Sequence, residues 1–406
     1  MRLRRQHRVR LLLAAAATAL MLAGCTADPV PAASPTASTA AAGGCAGASS
    51  SGSGLCVADG AQARDAAALI DSSFSDGKLG ALIVGVWKAG EPVVTGALGQ
   101  SQAGVPATVD MHHITGNITA AALTTIFLEL VDRGELHLDD PLSTWFPDLP
   151  DARQVTLEML ARSSSGYAHY PNLDAFEKAF YADPFRQWTA AEIIPYGASD
   201  QPAFTPGTSW KFADINFIIL AQVLEKATGR TTAALLDEYV LRPLGMNDTT
   251  PPIDGLLQGP VLHAYTSERG VWEESTYWNP SWTQYAGGMG SNQADLRKLI
   301  EAVGTGKLLS TASHRMQTEP DPDGIGVIDA HRAYTMGIAV VDGWLVANPS
   351  LQGYRAVVAY LPSEKVTIIA YSTATPQTDP DAPAPTLLFQ KLAALLTPDD
   401  VPHVTG

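Results

Sequence analysis

The chain has 406 residues, 46% of them hydrophobic and 17% charged, so it is long enough to bury a sizeable core. Its 26 lysines and arginines are outnumbered by 41 aspartates and glutamates, and the net charge is −15. An acidic surface of this size repels phosphate, which argues against nucleic acid and anionic lipid headgroups as partners.

The N-terminus has the pattern of a bacterial secretory signal. Five arginines precede the apolar run 11–23, which is too short to span a bilayer stably as a helix. The run leads into Leu-Ala-Gly-Cys25, which resembles a lipobox, where cleavage leaves a lipid-bearing Cys at the new N-terminus. We expect residues 1–24 to be a signal peptide and Cys25 to anchor the protein in the bilayer, on the extracytoplasmic face of the cell membrane. The alternative is an ordinary signal peptide in which Cys25 is incidental.

Residues 25–60 are rich in Ala, Ser, Thr, Gly and Pro and almost free of charge, which predicts a tether without a core. If Cys25 is lipidated, Cys45 and Cys56 remain in an oxidising compartment, where they could form a disulfide. That bridge would close a Gly/Ser-rich loop at the end of the tether. Two free thiols are the alternative.

A globular domain is predicted for residues 61–398, with a short C-terminal tail at 399–406. Strand-like runs occur near both ends of the domain and helical periodicity dominates its middle; the runs are 82–87, 93–97, 333–341, 354–360 and 366–372. The short connection between the last two runs indicates an antiparallel hairpin. We expect an α/β (α+β) fold. Its N- and C-terminal strands share a mainly antiparallel sheet, a helix at 386–396 covers the sheet, and the middle forms a mostly helical second lobe.

Six blocks resemble serine β-lactamases, penicillin-binding proteins and their esterase relatives. Residues 112–141, HHITGNITAAALTTIFLELVDRGELHLDDP, end in the G-x-L-x-L-D-D-P of the family's active-site segment. The segments that follow in the family's order include PGTSWKFADINFIILAQVLEKATG (206–229), LRPLGMNDT (241–249) and GGMGSNQADLRKLI (287–300). The resemblance covers about residues 65–397 and implies a β-lactamase/transpeptidase-like fold.

The resemblance also implies where the family's catalytic groups should fall. Counting back from the D-D-P at 139–141, the Ser of its S-x-x-K falls on Asn117 and the Lys on Ala120. The Tyr and Asn of its Y-x-N fall on Phe212 and Asp214. A carboxamide is not a nucleophile, and without the Lys a buried Tyr hydroxyl could lack a partner, which costs about 1–3 kcal/mol. Together these replacements predict that the catalytic centre is degenerate.

Two further features of the same region bear on the site. Helical spacing from Asn117 to Gly134 predicts a helix with Asn at its N-cap and Gly just past its end. The family's third motif falls near Ala347-Asn348-Pro349, which contains no His or Lys. Pro349 has no N–H to donate to a substrate laid along that strand.

Other candidates for a displaced nucleophile, base or metal ligand have simpler interpretations. Thr119 should point elsewhere on the helix, and three serines at 163–165 are more often a polar loop than a relay. The adjacent His112 and His113 should point to opposite sides with no carboxylate cluster around them, so neither a metal nor another cofactor is expected. His169 and the aromatic cluster 277–282 could line the cleft, but packing roles are favoured, and the aromatic cluster 145–147 is expected to cover an edge of the core.

These observations favour a non-catalytic binding or regulatory lipoprotein of the cell envelope. Its partner would be a peptidoglycan-derived peptide or an envelope protein. Two alternatives stay open. One is an active serine hydrolase (a D-Ala-D-Ala carboxypeptidase, β-lactamase or esterase) with a displaced nucleophile. The other is a structural surface lipoprotein that binds no ligand.

Overall fold

A computed structural model describes residues 49–50 (backbone only), 54–199, 202–252 and 257–404, and these residues belong to one compact unit. The predicted signal peptide, Cys25 and Cys45 lie outside the described residues. Cys56 is disulfide-bonded, and its pairing with Cys45 stays a prediction. Within the described ranges, no helix combines the length and the apolar character needed to cross a membrane.

The described strands form one large sheet and two small pairs. In chain order they are β1 Ser49–Ser50, β2 Leu55–Val57, β3 Ala81–Lys88, β4 Glu91–Gln102, β5 Val105–Pro106, β6 His113–Ile114, β7 Tyr265–Thr266, β8 Glu273–Glu274, β9 Gly290–Ser291, β10 Arg332–Tyr334, β11 Ala339–Val341, β12 Trp344–Ala347, β13 Ser350–Leu351, β14 Tyr354–Leu361 and β15 Val366–Thr373. The large sheet runs β1-β2-β4-β3-β15-β14-β12-β11-β10, with β5 paired to β4 and β13 to β14.

The centre of the sheet joins the two ends of the domain. Strand β3 pairs antiparallel with β15 along its whole length, from Ala81 opposite Thr373 to Lys88 opposite Val366. Strands β14 and β15 form the predicted hairpin. The prediction that N- and C-terminal strands share a mainly antiparallel sheet is confirmed. These strands are buried along almost their whole length because helices cover both faces of the sheet.

The helices lie mainly between the two strand regions. They are α1 Ala61–Asp76, α2 Ile118–Asp132, α3 Leu157–Ala161, α4 Asp174–Ala182, α5 Ala190–Gly197, α6 Asp214–Thr228, α7 Thr232–Leu236, α8 Arg242–Leu244, α9 Gln284–Gly287, α10 Gln293–Thr305, α11 Thr311–Thr318 and α12 Ala384–Leu396. A π-helical turn (Asp237–Leu241) joins α7 to α8. Three 3₁₀ turns lie at Leu142–Thr144, Tyr170–Asn172 and Pro280–Trp282.

Alternating residues of the central strands face two separate cores. Val84 on one face packs with α1 and α12, in a core that includes Ile70 and Phe389. Ile83 on the other face belongs to a larger core that includes residues of α2, α6 and α10. Because side chains alternate between the two faces of a strand, the sheet packs against a helical layer on each face. The layer of α1 and α12 is thin, and the layer that includes α2, α6 and α10 is thick.

Helix α2 passes through the larger core and ends where the sequence predicts. Twelve of its fifteen residues are buried. Gly134 has φ +71°, and the N–H groups of Gly134 and Glu135 donate to the Val131 and Leu130 carbonyls. A left-handed Gly after the last turn satisfies carbonyls that the helix itself leaves free.

The predicted strand 333–341 is wrong as a single run. It is a hairpin, with β10 and β11 paired and a turn between them in which the Thr335 N–H donates to the Ile338 carbonyl. The turn bends at Gly337, which has φ +78°. A Cβ there would lie 2.6 Å from the Ala120 carbonyl oxygen, so the turn packs directly on helix α2. Residue alternation alone gave no sign of this bend.

Candidate functional site

Asn117 occupies the start of helix α2, after the short strand β6. Its backbone is already helical (φ −63°, ψ −8°), and its side chain makes no capping hydrogen bond. The expectation that the Asn117 side chain caps the helix is therefore wrong, because a capping side chain requires an extended backbone. The hydroxyl of Thr119 instead donates to the Gly116 carbonyl at 2.8 Å. The Asn117 carboxamide is thus not used by the helix.

A cleft of about 250 Å³ opens beside Asn117. Phe212, Asp214 and His169 line it from the helical side, and the segment 348–351 lines it from the sheet side. The structure therefore brings together three of the four degenerate positions and the third-motif region. Ala120, the fourth, is fully buried below the cleft.

Burial of Ala120 has a local cause. The Gly337 turn approaches its carbonyl, and the Thr124 hydroxyl, one turn further along α2, donates to the Met336 carbonyl at 2.9 Å. Tyr334, just before this turn, packs edge-on against Phe212 with ring centroids 5.9 Å apart. Apolar and aromatic groups therefore fill the floor where the resemblance implies an amine and a phenol.

Asp214 is the ionisable carboxyl of the cleft. It begins helix α6, and its side chain is only 7% exposed. Burial raises the pKa of Asp214 to about 7, and a hydrogen bond from Thr283 offsets only part of this rise. At neutral pH the carboxyl is therefore close to its titration midpoint, and it can either donate or accept a proton.

Three polar atoms on the cleft's side chains have no hydrogen-bond partner within the described residues: Asn117 Oδ1, His169 Nδ1 and Trp282 Nε1. Burial, reinforced by the charge of Lys211, lowers the pKa of His169 to about 4, so this ring is neutral at physiological pH. Leaving a buried polar atom unpaired costs about 1–3 kcal/mol. The residues that carry these atoms all line the cleft, so a polar ligand or water that reached the atoms would supply the missing partners.

The sheet side of the cleft differs from an open binding edge. A Cβ at Gly116 would lie 2.0 Å from the Pro349 Cβ, so this segment rests directly on the start of α2. The Pro349 carbonyl accepts from the Ala356 N–H at 2.9 Å, and Pro349 has no N–H of its own. The backbone of this edge therefore offers a ligand no donor at Pro349.

The other candidate nucleophiles have structural partners. Ser163 donates to the Lys211 carbonyl at 2.9 Å, Ser164 to the Met159 carbonyl at 3.4 Å, and Ser165 to Asn216. None of the three lines the cleft. The polar-loop interpretation fits these contacts, of which those of Ser163 and Ser165 fix the loop to the start of α6 and that of Ser164 fixes it to α3.

The histidine pair is divided between two environments. His112 contacts the Pro260 carbonyl at 3.3 Å through Nδ1. His113 stacks on Tyr371 with ring centroids 3.5 Å apart, and burial lowers its pKa to about 3. Both side chains are buried away from the cleft, so their roles here are in packing.

The aromatic cluster 277–282 serves two purposes. Trp278 is fully buried in the larger core, as the packing interpretation predicts. Trp282 instead lines the cleft, as the alternative interpretation predicts. Thr283, which follows it, was not singled out by the sequence. Thr283 lies four residues before the family-like block 287–300, and a single hydroxyl there matches no motif that could have revealed it.

Comparison with known proteins agrees with this architecture. The family model described as Beta-lactamase matches residues 63–393. The chain belongs to this family. Esterase EstB of Burkholderia gladioli is 29% identical over 194 residues, which are 45% of this chain and 49% of the esterase. Putative penicillin-binding protein PbpX of Bacillus subtilis is 23% identical over 262 residues, 63% of this chain and 61% of PbpX. The chain thus spans about half to three fifths of the length of these family relatives.

Solved structures support the same fold. A D-amino acid amidase from Ochrobactrum anthropi has a TM-score of 0.71 at 18% identity, covering 84% of this chain and 99% of the amidase. A D-stereospecific amidohydrolase from Streptomyces has a TM-score of 0.69 at 22% identity, covering 84% and 98%. At these identities the likeness establishes the β-lactamase/penicillin-binding-protein-like fold of the family and nothing about activity.

Proposed function

We propose that the protein binds a small peptide-like ligand without hydrolysing it, as a lipid-anchored module of the cell envelope. The observation that supports this proposal is the cleft itself. At the helix start, Asn117 offers a carboxamide where a hydrolase of this family would offer a hydroxyl. Three residues that line the cleft, Asn117, His169 and Trp282, each carry a buried polar atom without a partner. Such a site can hold a ligand through hydrogen bonds but has no group at Asn117 that could accept an acyl group.

The polar groups favour a ligand with an amide and a carboxyl. Asn117 Oδ1 accepts from an amide N–H, Trp282 Nε1 donates to a carbonyl or carboxylate, and protonated Asp214 also donates. A volume of about 250 Å³ is small for a whole drug-sized ligand and suits the terminal residues of a peptide. Among peptide-like ligands we favour peptides with D-residues, such as those of peptidoglycan. The reason is that similar proteins are named D-alanyl-D-alanine carboxypeptidase and D-amino acid amidase.

The location rests on the N-terminal sequence. One acyl chain binds a membrane weakly, so several chains on Cys25 would be needed for stable anchoring. Growth of an expressing bacterium with an alkyne-bearing fatty acid should label the wild-type chain and leave Cys25→Ser unlabelled. Equal labelling of both proteins would contradict the anchoring proposal and leave the binding proposal intact.

Calorimetry with D-alanyl-D-alanine tests the binding proposal on the purified full-length chain. We expect saturable binding that weakens about tenfold in Asn117→Ala, which corresponds to the loss of about 1.4 kcal/mol expected for one hydrogen bond. The matched control is Asn247→Ala, which truncates an exposed Asn outside the cleft and should bind as wild type. Absence of binding to this peptide and to L-alanyl-L-alanine alike would favour the structural lipoprotein with no ligand.

One contact favours hydrolysis as the second candidate. The Thr283 hydroxyl and the Asp214 carboxyl are hydrogen-bonded within the cleft, and a hydroxyl paired with a base is the minimal arrangement for nucleophilic catalysis. A fluorophosphonate or fluorescent penicillin should leave the wild-type protein unlabelled under the binding proposal. Stoichiometric labelling that disappears in Thr283→Val would establish the hydrolase instead.

A further inference from the structure

We propose that His331, Asp342 and His403 form a binding site for a divalent first-row transition-metal ion such as Zn²⁺. The site lies outside the family cleft, and its residues play no part in the proposed peptide binding. One ligand atom from each residue lies within 4.8 Å of the other two. The three residues come from separate parts of the chain, so no short sequence motif indicates the site.

The hairpin between β11 and β12 positions the carboxylate. Asp342 and Gly343 form its two-residue turn and both have positive φ, +48° and +82°. Asp-Gly is among the favoured pairs for such a turn because both residues must adopt left-handed conformations. The Asp342 N–H donates to the His331 carbonyl at 2.8 Å, so the turn also holds His331 next to the carboxylate.

The third residue lies in the segment after helix α12, within the predicted C-terminal tail at 399–406. Three hydrogen bonds fix this segment. Trp344 Nε1 donates to the Asp400 carbonyl at 2.8 Å, Gln390 Nε2 donates to the Val404 carbonyl at 2.7 Å, and the His403 N–H donates to Asp342 Oδ2 at 2.7 Å. His403 is therefore held in place by contacts other than its own side chain, and the site is assembled before any ion binds.

The side chains then converge on one carboxylate. His331 Nδ1 lies 2.7 Å from Asp342 Oδ1, and His403 Nδ1 lies 2.8 Å from Asp342 Oδ2. The two imidazole rings lie side by side, with centroids 4.1 Å apart and an angle of 33° between their planes. At this separation each ring can present one nitrogen to a shared cation.

The donor set selects the class of ion. Two imidazole nitrogens and one carboxylate suit Zn²⁺, Co²⁺, Ni²⁺ or Cu²⁺, whereas Mg²⁺ and Ca²⁺ require mainly oxygen ligands. Three protein ligands leave at least one coordination position for water or another molecule. The His331 and His403 side chains are about half and two thirds exposed, so an ion can enter from solvent. A bound ion would link the C-terminal segment to the β11–β12 edge of the sheet.

The same distances also describe a carboxylate that accepts hydrogen bonds from two histidines and binds no metal. The experiment that separates the two uses the untagged full-length chain, freed of metal with a chelator and then titrated with Zn²⁺ by calorimetry and with Co²⁺ by visible absorption. We expect one ion per chain and Co²⁺ d–d bands of nitrogen–oxygen coordination. Because loss of even an outer-shell partner weakens metal sites by about 10–100-fold, His331→Ala and His403→Ala should each weaken binding at least about tenfold.

Two further variants sharpen the test. Asp342→Asn keeps a residue that tolerates the turn's left-handed backbone and removes the charge, so it should fold and bind the ion at least about tenfold more weakly. His137→Ala is the matched control, since His137 is exposed and its Nδ1 lies 3.8 Å from Asp140 without a second histidine. It should leave binding unchanged. No saturable Zn²⁺ binding in the wild-type chain, or undiminished binding in both His331→Ala and His403→Ala, would overturn the metal site and leave a hydrogen-bonded anchor.

Discussion

The buried carboxyl of Asp214 makes stability depend on pH in a direction that is unusual for an aspartate. Its pKa in the folded protein is about 7, against an ordinary value of 3.8, because burial disfavours the charged form. Below about pH 3.8 both the folded and the unfolded chain hold the proton, so Asp214 has no effect on the free energy of unfolding. Between 3.8 and 7 only the unfolded state ionises, so stability falls as pH rises.

The size of this effect follows from the two pKa values. The difference between about 7 and 3.8 corresponds to about 4 kcal/mol at 1.36 kcal/mol per pH unit, and this penalty is complete above pH 7. Asp214→Asn removes the charge and keeps an oxygen that can accept the Thr283 hydrogen bond. Relative to wild type, removal of the charge alone should contribute about 4 kcal/mol at pH 8 and about 1.6 kcal/mol at pH 5 to the stability of the variant.

The assay is urea denaturation of both proteins at pH 5 and pH 8 without ligand. The new amide N–H₂ group can lack partners at a cost of about 1–3 kcal/mol, but that cost is the same at both pH values. The difference between the two pH values is therefore the diagnostic quantity. Asp139→Asn, at an exposed site, should change stability by less than about 0.5 kcal/mol at either pH. A gain for Asp214→Asn that does not grow with pH would refute a buried carboxyl with a raised pKa.

Three other predictions concern the same cleft. Gly116→Ala should destabilise the protein by about 1–3 kcal/mol more than Gly104→Ala in thermal denaturation, since both have positive φ but only Gly116 would place a Cβ against Pro349. Equal losses of stability in the two variants would show that Pro349 can move away from the new Cβ without a measurable loss of stability. Asn117→Ser combined with Ala120→Lys and Phe212→Tyr should restore at most weak hydrolysis of nitrocefin, because Pro349 still lacks an N–H and the new amine enters a fully buried site. Turnover comparable to that of a β-lactamase would contradict this. Affinity for N-acetyl-D-alanyl-D-alanine, which has no free amine, should fall in wild type from pH 6 to 8 in calorimetry as Asp214 loses its proton. It should be flat in Asp214→Asn, because His169 with a pKa of about 4 stays neutral throughout. Variation that persists in the variant would assign the titration to another group.

Much of the fold followed from the sequence because strong local patterns agreed with each other. Apolar runs at both ends of the domain pair in one sheet, and the helix from Asn117 to Gly134 ends at its predicted glycine. The strand predicted at 333–341 failed because its bend is set by the surface of helix α2 and by the space that only Gly337 leaves there. That constraint comes from a segment about 200 residues away and leaves no trace in the local pattern.

The sequence predicted which residues meet at the candidate site. It did not predict what those residues can do chemically in the folded protein. The family resemblance located Asn117, Phe212 and Asp214, and the structure places all three around one cleft. The family resemblance gave no reason to expect that Asn117 would have a helical backbone at the start of the helix, which leaves its carboxamide without a capping role. Thr283 was not identified from the sequence because a single hydroxyl residue in a segment without periodicity cannot be distinguished from any other serine or threonine. The cluster of His331, Asp342 and His403 was not identified from the sequence because its residues are far apart in the chain and the last lies in the predicted C-terminal tail.

The changes around the cleft are mutually consistent in physical terms. Replacing an amine by Ala120 removes the positive charge that would otherwise lower the pKa of a neighbouring carboxyl. Burial is the largest influence on the pKa of Asp214 and raises it. Charge developing on a reacting carbonyl would then meet few groups able to stabilise it, whereas a ligand held by hydrogen bonds needs no such charge. Under the proposed binding function, the residues at 117, 120 and 212 therefore leave a pocket in which an intact peptide end would supply the partners that Asn117, His169 and Trp282 lack.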